Sequence, residues 1–229
     1  MLFNSKMKLA DVVVANYNLV LILQRFNIEL GFGEKTVAEI CKQYGIDTNF
    51  FLLICNVYTT ANYLPTKEEL ANTQMDMLVP YLVASHVYYL QERIPHLENH
   101  LNRIADACKP TQGETLRKFF HEYKGEVEKH FQYEENTVFP YITDLCKGGK
   151  GQRYSINQFE ENHSNIEDKL SDLTNIILKY LPGDIMPNER RGLVFDIFQL
   201  SSDLNTHSLI EEKILIPYVE TLEEKNVRR

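Results

Sequence analysis

Two stretches of the chain share one pattern. They are HFQYEENTVFP, from His130 to Pro140, and HSLIEEKILIP, from His207 to Pro217. Both read H-x-x-x-E-E-x-x-[VL]-x-P. Residues four apart on a helix share a face, so His130 and Glu134 can point at one object, as can His207 and Glu211. His86 and His163 complete a series in which successive histidines are spaced by 44, 33 and 44 residues. Each spacing is close to one helix plus one turn. Helices running alternately up and down would bring four imidazoles and two carboxylates to one height.

That inventory has a chemical meaning. Unpaired carboxylates are strongly penalised when buried. Two divalent ions remove the penalty if each takes two imidazoles and the carboxylates bridge them. Nitrogen and oxygen donors with open coordination positions suit iron or manganese better than a closed structural zinc site. Open positions on a pair of redox-active ions imply dioxygen, peroxide or nitric oxide chemistry. A single H-x-x-x-E on a helix is ordinarily a solvated ion pair worth about 0.2–0.5 kcal/mol. Duplication of the whole phrase, with a histidine on each remaining helix, is what points to metal.

The neighbours of these residues carry expectations of their own. Glu135 and Glu212 lie about 100° round the helix from Glu134 and Glu211 and are expected to face solvent. Pro140 and Pro217 are expected to kink or end their helices. HLENH, from His96 to His100, also has ligand spacing, but it lies beyond His86 on the same helix and reads as a polar surface pair. His121 reads as exposed or as backing the ligands. Tyr88, Tyr89 and Tyr133 read as packing residues. No pair of E-x-x-H motifs occurs, which disfavours the ferritin arrangement.

The elements that must position these residues are helical throughout. Residues 1–64 read as a small domain of three or four short helices, beginning with LADVVVANYNLVLILQRF and including TVAEICKQYG and TNFFLLICNVYTTANYL. The polar stretch 65–76 reads as a linker. Residues 77–229 read as four long helices, from about Met77 to Cys108, Glu114 to Cys146, Ser155 to Tyr180 and Glu189 to Glu224. Ser155 and Gln158 would form a capping box. The fold class is all-α, an up-down-up-down four-helix bundle preceded by a small helical N-terminal domain.

Composition sets outer limits. The chain has 229 residues, 44% of them hydrophobic, which is ample for a packed core. Its formal net charge is −8, and no dense Lys/Arg run is present, which argues against a nucleic-acid partner. No stretch approaches the ~20 apolar residues of a membrane span. The apolar stretch near the N-terminus is interrupted by Asp11, Asn16 and Asn18, so it is not expected to be a signal peptide. Cys41, Cys55, Cys108 and Cys146 are scattered, as suits reduced, mostly packed thiols in the cytoplasm.

With these motifs in hand, the chain resembles the hemerythrin-like di-iron proteins. It is most similar to the bacterial repair-of-iron-centres group, also described as regulators of cell morphogenesis and nitric-oxide signalling. EENTVFP, EEKILIP, FEENHSNIEDKL and RIPHL carry the likeness, and FNIELGFGEKTVAEICKQYGID is similar to that group's N-terminal domain. The resemblance implies two non-heme iron ions, carboxylate-bridged, held by His86, His130, Glu134, His163, His207 and Glu211. It implies a role in the nitrosative and oxidative stress response, restoring damaged iron–sulfur clusters by iron delivery or nitric oxide handling. The alternative is a non-catalytic sensor or carrier of dioxygen or nitric oxide. Whether the protein turns over a substrate is left open. Iron–sulfur proteins are the implied partners, and a homodimer contact is one role open to the front domain. One departure stands out: the family's Cys-Cys pair is replaced by Gly31 and Phe32.

Overall fold

The computed structural model describes residues 2–60, 62–149, 154–162, 166 and 168–227. Among the described residues every regular element is helical, and the one extended pairing is an isolated bridge between Lys8 and Thr36. No described helix is long and apolar enough to cross a membrane. The chain divides into two compact units. One comprises Met1–Ser85, Leu145–Lys150 and Thr206–Arg229, the other His86–Asp144 and Gly151–Asn205.

The first unit opens with α1 (Leu9–Ala15) and α2 (Leu19–Arg25). The sequence suggests a single helix here, and Asn16 is the reason there are two. Its side-chain carbonyl accepts the backbone N–H of Asn18, and its amide donates to Tyr58 O and Thr59 Oγ1. A short amide side chain competing for backbone partners is a standard way to break a helix. Helix α3 (Val37–Tyr44) starts at a capping box between Thr36 and Glu39 and stops at Gly45, in the left-handed conformation at φ 68°. Helix α4 (Thr48–Thr59) is capped by Asp47.

The core of this unit is aromatic. Phe26 contacts Phe50, Phe51 and Tyr81 at centroid distances of 6.0, 5.3 and 5.2 Å, pairs worth about 0.5–1.5 kcal/mol each beyond their buried area. The buried Arg25 donates to the hydroxyls of Tyr58 and Tyr81. Cys41 and Cys55 are free and buried. Burial pushes the Cys41 thiol up to about 11 and the Cys55 thiol well above its ordinary value. The stretch expected to be a linker is not featureless. It folds into α5 (Lys67–Ala71), started by a second capping box between Thr66 and Glu69, and a 3-10 turn at Met75–Met77.

Helix α6 (Leu78–Tyr88) leads through Tyr89–Arg93 into α7 (Ile94–Ala107). Helix α8 (Pro110–Tyr133) leads through Glu134–Val138 into α9 (Phe139–Cys146). Helices α10 (Ile156–Asn162) and α11 (Asp168–Asn175) follow, the latter running on through Ile176–Tyr180. Helix α12 (Pro187–Ile210) leads through Glu211–Leu215 into α13 (Ile216–Val227).

Within the second unit, α7 and α8 pack through Leu97, Leu101 and Ile104 on one side and Leu116, Phe120 and Val127 on the other, all buried. Gly113 permits the tight turn between them, since a Cβ there would stand 2.4 Å from Ala105 O. Arg190 donates to Ile177 O and Pro182 O at 2.6 Å each. It thereby satisfies carbonyls in and just after the helical turn Ile176–Tyr180.

The four connecting segments, Tyr89–Arg93, Glu134–Val138, Ile176–Tyr180 and Glu211–Leu215, are π-helical turns. Each is followed by one residue and then a proline: Pro95, Pro140, Pro182 and Pro217. The amides of Ile94, Phe139 and Ile216 bond back five residues, to Tyr89 O, Glu134 O and Glu211 O. A proline in a helix lacks the i→i−4 donor, and its ring collides with that carbonyl. One extra residue in the preceding turn widens the helix and accommodates the ring. The expectation that Pro140 and Pro217 kink or end their helices is corrected as to ending them. The helices continue past them, and the adjustment is made in the turn that opens with Glu134 or Glu211.

Candidate metal centre

Helix α6 supplies His86, α8 supplies His130, and the π turn after α8 begins with Glu134. The Glu134 side chain is wholly buried. Its Oε2 stands 2.9 Å from His86 Nε2 and its Oε1 stands 2.9 Å from His130 Nε2. One carboxylate is thus shared between imidazoles from two helices. The His86 ring is stacked on Phe131 at 4.0 Å and 12°, with Phe139 at 5.5 Å on a near-parallel plane. Its orientation is therefore fixed by packing.

Glu135 does more than face solvent, which is all that its helix position suggests. Its side chain is 42% exposed, yet Oε1 lies 2.9 Å from Nδ1 of His86. Adjacent glutamates therefore address opposite nitrogens of one ring. A carboxylate on the outer nitrogen of a ligating histidine fixes its tautomer and raises its basicity. The sequence offers no direct signal of this role, because it depends on where α6 lies against the turn.

The second phrase repeats the first locally. His207 Nε2 is 3.2 Å from Glu211 Oε1, with side-chain exposures of 2% and 0%. His86 and Glu134 are buried together in one unit, and His207 and Glu211 are buried together in the other. His130 joins the first group through Glu134. His163 lies outside the described residues.

Tyr133 hydrogen-bonds Tyr154, hydroxyl to hydroxyl, at 2.8 Å. Burial, then that bond, and further the charge of Glu134 oppose ionisation of Tyr154, which stays protonated. His121 is exposed. His100 departs from expectation: it is buried rather than a surface residue, while its partner His96 is exposed.

The donor set fits a divalent metal. Two wholly buried carboxylates among imidazoles would be costly as bare charges, and a cation offsets that cost. The outer nitrogen of His86 is also braced as a metal-binding imidazole requires. The family model of the hemerythrin HHE cation binding domain matches residues 78–219. The chain belongs to this family. Comparison with curated proteins gave no match. Membership makes the chain a hemerythrin-like, metal-binding helical bundle with iron as the typical metal, and both histidine–glutamate groups fall inside the matched segment.

Proposed function

We propose that this hemerythrin-like protein holds two iron ions and serves in the nitrosative and oxidative stress response, helping to restore damaged iron–sulfur clusters. The observation that carries the reading is the sharing of the Glu134 carboxylate between His86 and His130, repeated in part by Glu211 with His207. In this reading His86, His130, Glu134, His163, His207 and Glu211 are the ligands, and Glu134 and Glu211 are the bridges. Bound iron supplies redox chemistry and open positions for dioxygen, nitric oxide or peroxide.

The chain's own residues do the rest. Glu135 accepts the proton-bearing side of His86 at Nδ1 and leaves the Nε2 lone pair for metal. Phe131 and Phe139 flank that ring and exclude water. Tyr154 remains protonated, paired to Tyr133. Residues 1–64 form a front domain that recognises iron–sulfur proteins or a second copy of the chain, acting in the cytoplasm. It does so without a thiol pair: Gly31 sits at φ 94°, a backbone conformation in which a cysteine would be strained.

The test is anaerobic loading with iron(II) followed by metal analysis, then incubation with a nitric-oxide-damaged iron–sulfur protein. Two irons per chain and cluster recovery faster than with free iron, lost in Glu134→Ala, are expected. Two irons with reversible nitric oxide binding and no recovery would replace this reading with a carrier or sensor. Stoichiometry near zero or one would remove the di-iron reading altogether.

A further inference from the structure

We propose that His96, His100 and Asp196 form a second metal site, specific for a zinc-class divalent cation and separate from the His/Glu cluster. His96 follows His86 by ten residues along the helix, which places it about 15 Å further along the axis.

The geometry is that of a three-ligand site. His96 and His100 sit four residues apart on α7, and Asp196 projects from α12. Asp196 Oδ2 lies 3.3 Å from His96 Nε2 and 3.2 Å from His100 Nδ1. Ligands held about 2.0–2.1 Å from a tetrahedral zinc ion stand roughly 3.3 Å from one another, so a cation fits among these atoms with small side-chain rotations. Two imidazoles and one carboxylate are a zinc donor set. The fourth position opens to solvent past His96, whose side chain is 54% exposed. That opening is also the entry path.

The surroundings are built around this group. His100 is 7% exposed, and Gly192 on α12 makes room for its ring. A Cβ at Gly192 would stand 3.2 Å from His100 Cε1. The buried Nε2 of His100 makes no hydrogen bond, although Glu189 Oε2 is 3.0 Å away. With a cation on Nδ1, a small rotation of the ring would align Nε2–H with Glu189, the carboxylate–histidine–metal arrangement. Arg103 holds the same Glu189 oxygen from outside at 3.3 Å. Arg93 is a nearby cation that opposes a metal. Its Nη2 is 3.7 Å from Asp196 Oδ1 and is bonded to Gln199 at 2.9 Å. It engages the other carboxylate oxygen and leaves Oδ2 turned to the histidines. A bound ion would clip α7 to α12.

The experiment uses the full chain, loaded with iron first. Zinc(II) is titrated against a chromophoric chelator while iron release is followed, and cobalt(II) is added in parallel. One further equivalent of zinc is expected, with iron retained and cobalt giving the intense visible bands of a four-coordinate ion. His96→Ala, a change at a half-exposed side chain that leaves the core intact, should abolish that equivalent without altering iron content. Glu189→Gln should weaken it by about 10–100-fold. No zinc beyond displaced iron, or an unchanged equivalent in His96→Ala, would overturn the proposal and leave the group as an ion-pair network.

Discussion

Glu135 Oε1 lies 2.9 Å from Nδ1 of His86, and Glu134 Oε2 lies 2.9 Å from Nε2 of the same ring. Two consecutive glutamates on one π turn thus hold an imidazole from another helix at both ends. If the inner one binds metal, the outer one tunes it. Glu135→Ala should lower iron affinity by about 10–100-fold. Glu212→Ala, at the matching exposed position, should change it little. Competition with a calibrated chelator measures both, and equal effects would contradict the brace.

Glu134→Ala and Glu211→Ala should each cost both ions. Either change strips a carboxylate from the cluster and leaves cationic charge uncompensated in a buried site. Iron per chain should fall well below one for each variant while far-ultraviolet circular dichroism stays helical. Retention of one firmly bound ion in either variant would show that the carboxylates are not shared.

Pro140 and Pro217 follow the π turns that open with Glu134 and Glu211. Replacing either with alanine restores a backbone donor and removes the ring that the wide turn accommodates. The turn should tighten toward regular α-helix and rotate the glutamate off its histidine. Helix content should hold or rise while iron affinity falls. Unchanged iron binding in both variants would mean that the turns are set by packing rather than by proline.

Removing the metal should lower the melting temperature without unfolding the helices. Ions that bind the native state and not the unfolded chain stabilise by linkage, about 2.7 kcal/mol at one hundred times the dissociation constant. The buried apolar faces of α7 and α8 pack without metal. Coincident melting curves for iron-loaded and chelator-treated protein would exclude linkage.

The front thiols give a pH prediction. Folding raises the Cys41 thiol from its ordinary value of 9.0 to about 11 by burial. A raised folded value means the native state keeps the proton longer. The stabilising contribution is complete below about pH 9 and is lost as pH rises toward 11. Cys41→Ala should flatten that alkaline loss, as measured by denaturant unfolding across this range. In the native protein at neutral pH, Cys41 and Cys55 should react with thiol reagents far more slowly than the exposed Cys146. Fast labelling of either would place a reactive thiol in the first unit.

The sequence by itself determined the helical class, because apolar residues recur with the helical period through most of the chain. It also determined which histidine pairs with which glutamate inside each phrase, since i and i+4 share a face whatever surrounds the helix. What lay beyond it were contacts between residues distant in the chain. The role of Glu135 depends on where α6 presents His86. The burial of His100 depends on Gly192 and Asp196 of α12. The break at Asn16 depends on the end of α4, whose carbonyl and hydroxyl capture its side chain. The π turns fall between the two cases: the prolines are visible in the sequence, but a proline in a helix can be met by a kink, a stop or a widened turn. The structure shows the widened turn, in which the amides of Phe139 and Ile216 bond back five residues. Periodicity is a property of one helix and can be read along the chain. Neighbours across helices are fixed by side-chain volumes and polar partners that meet only when the chain is folded.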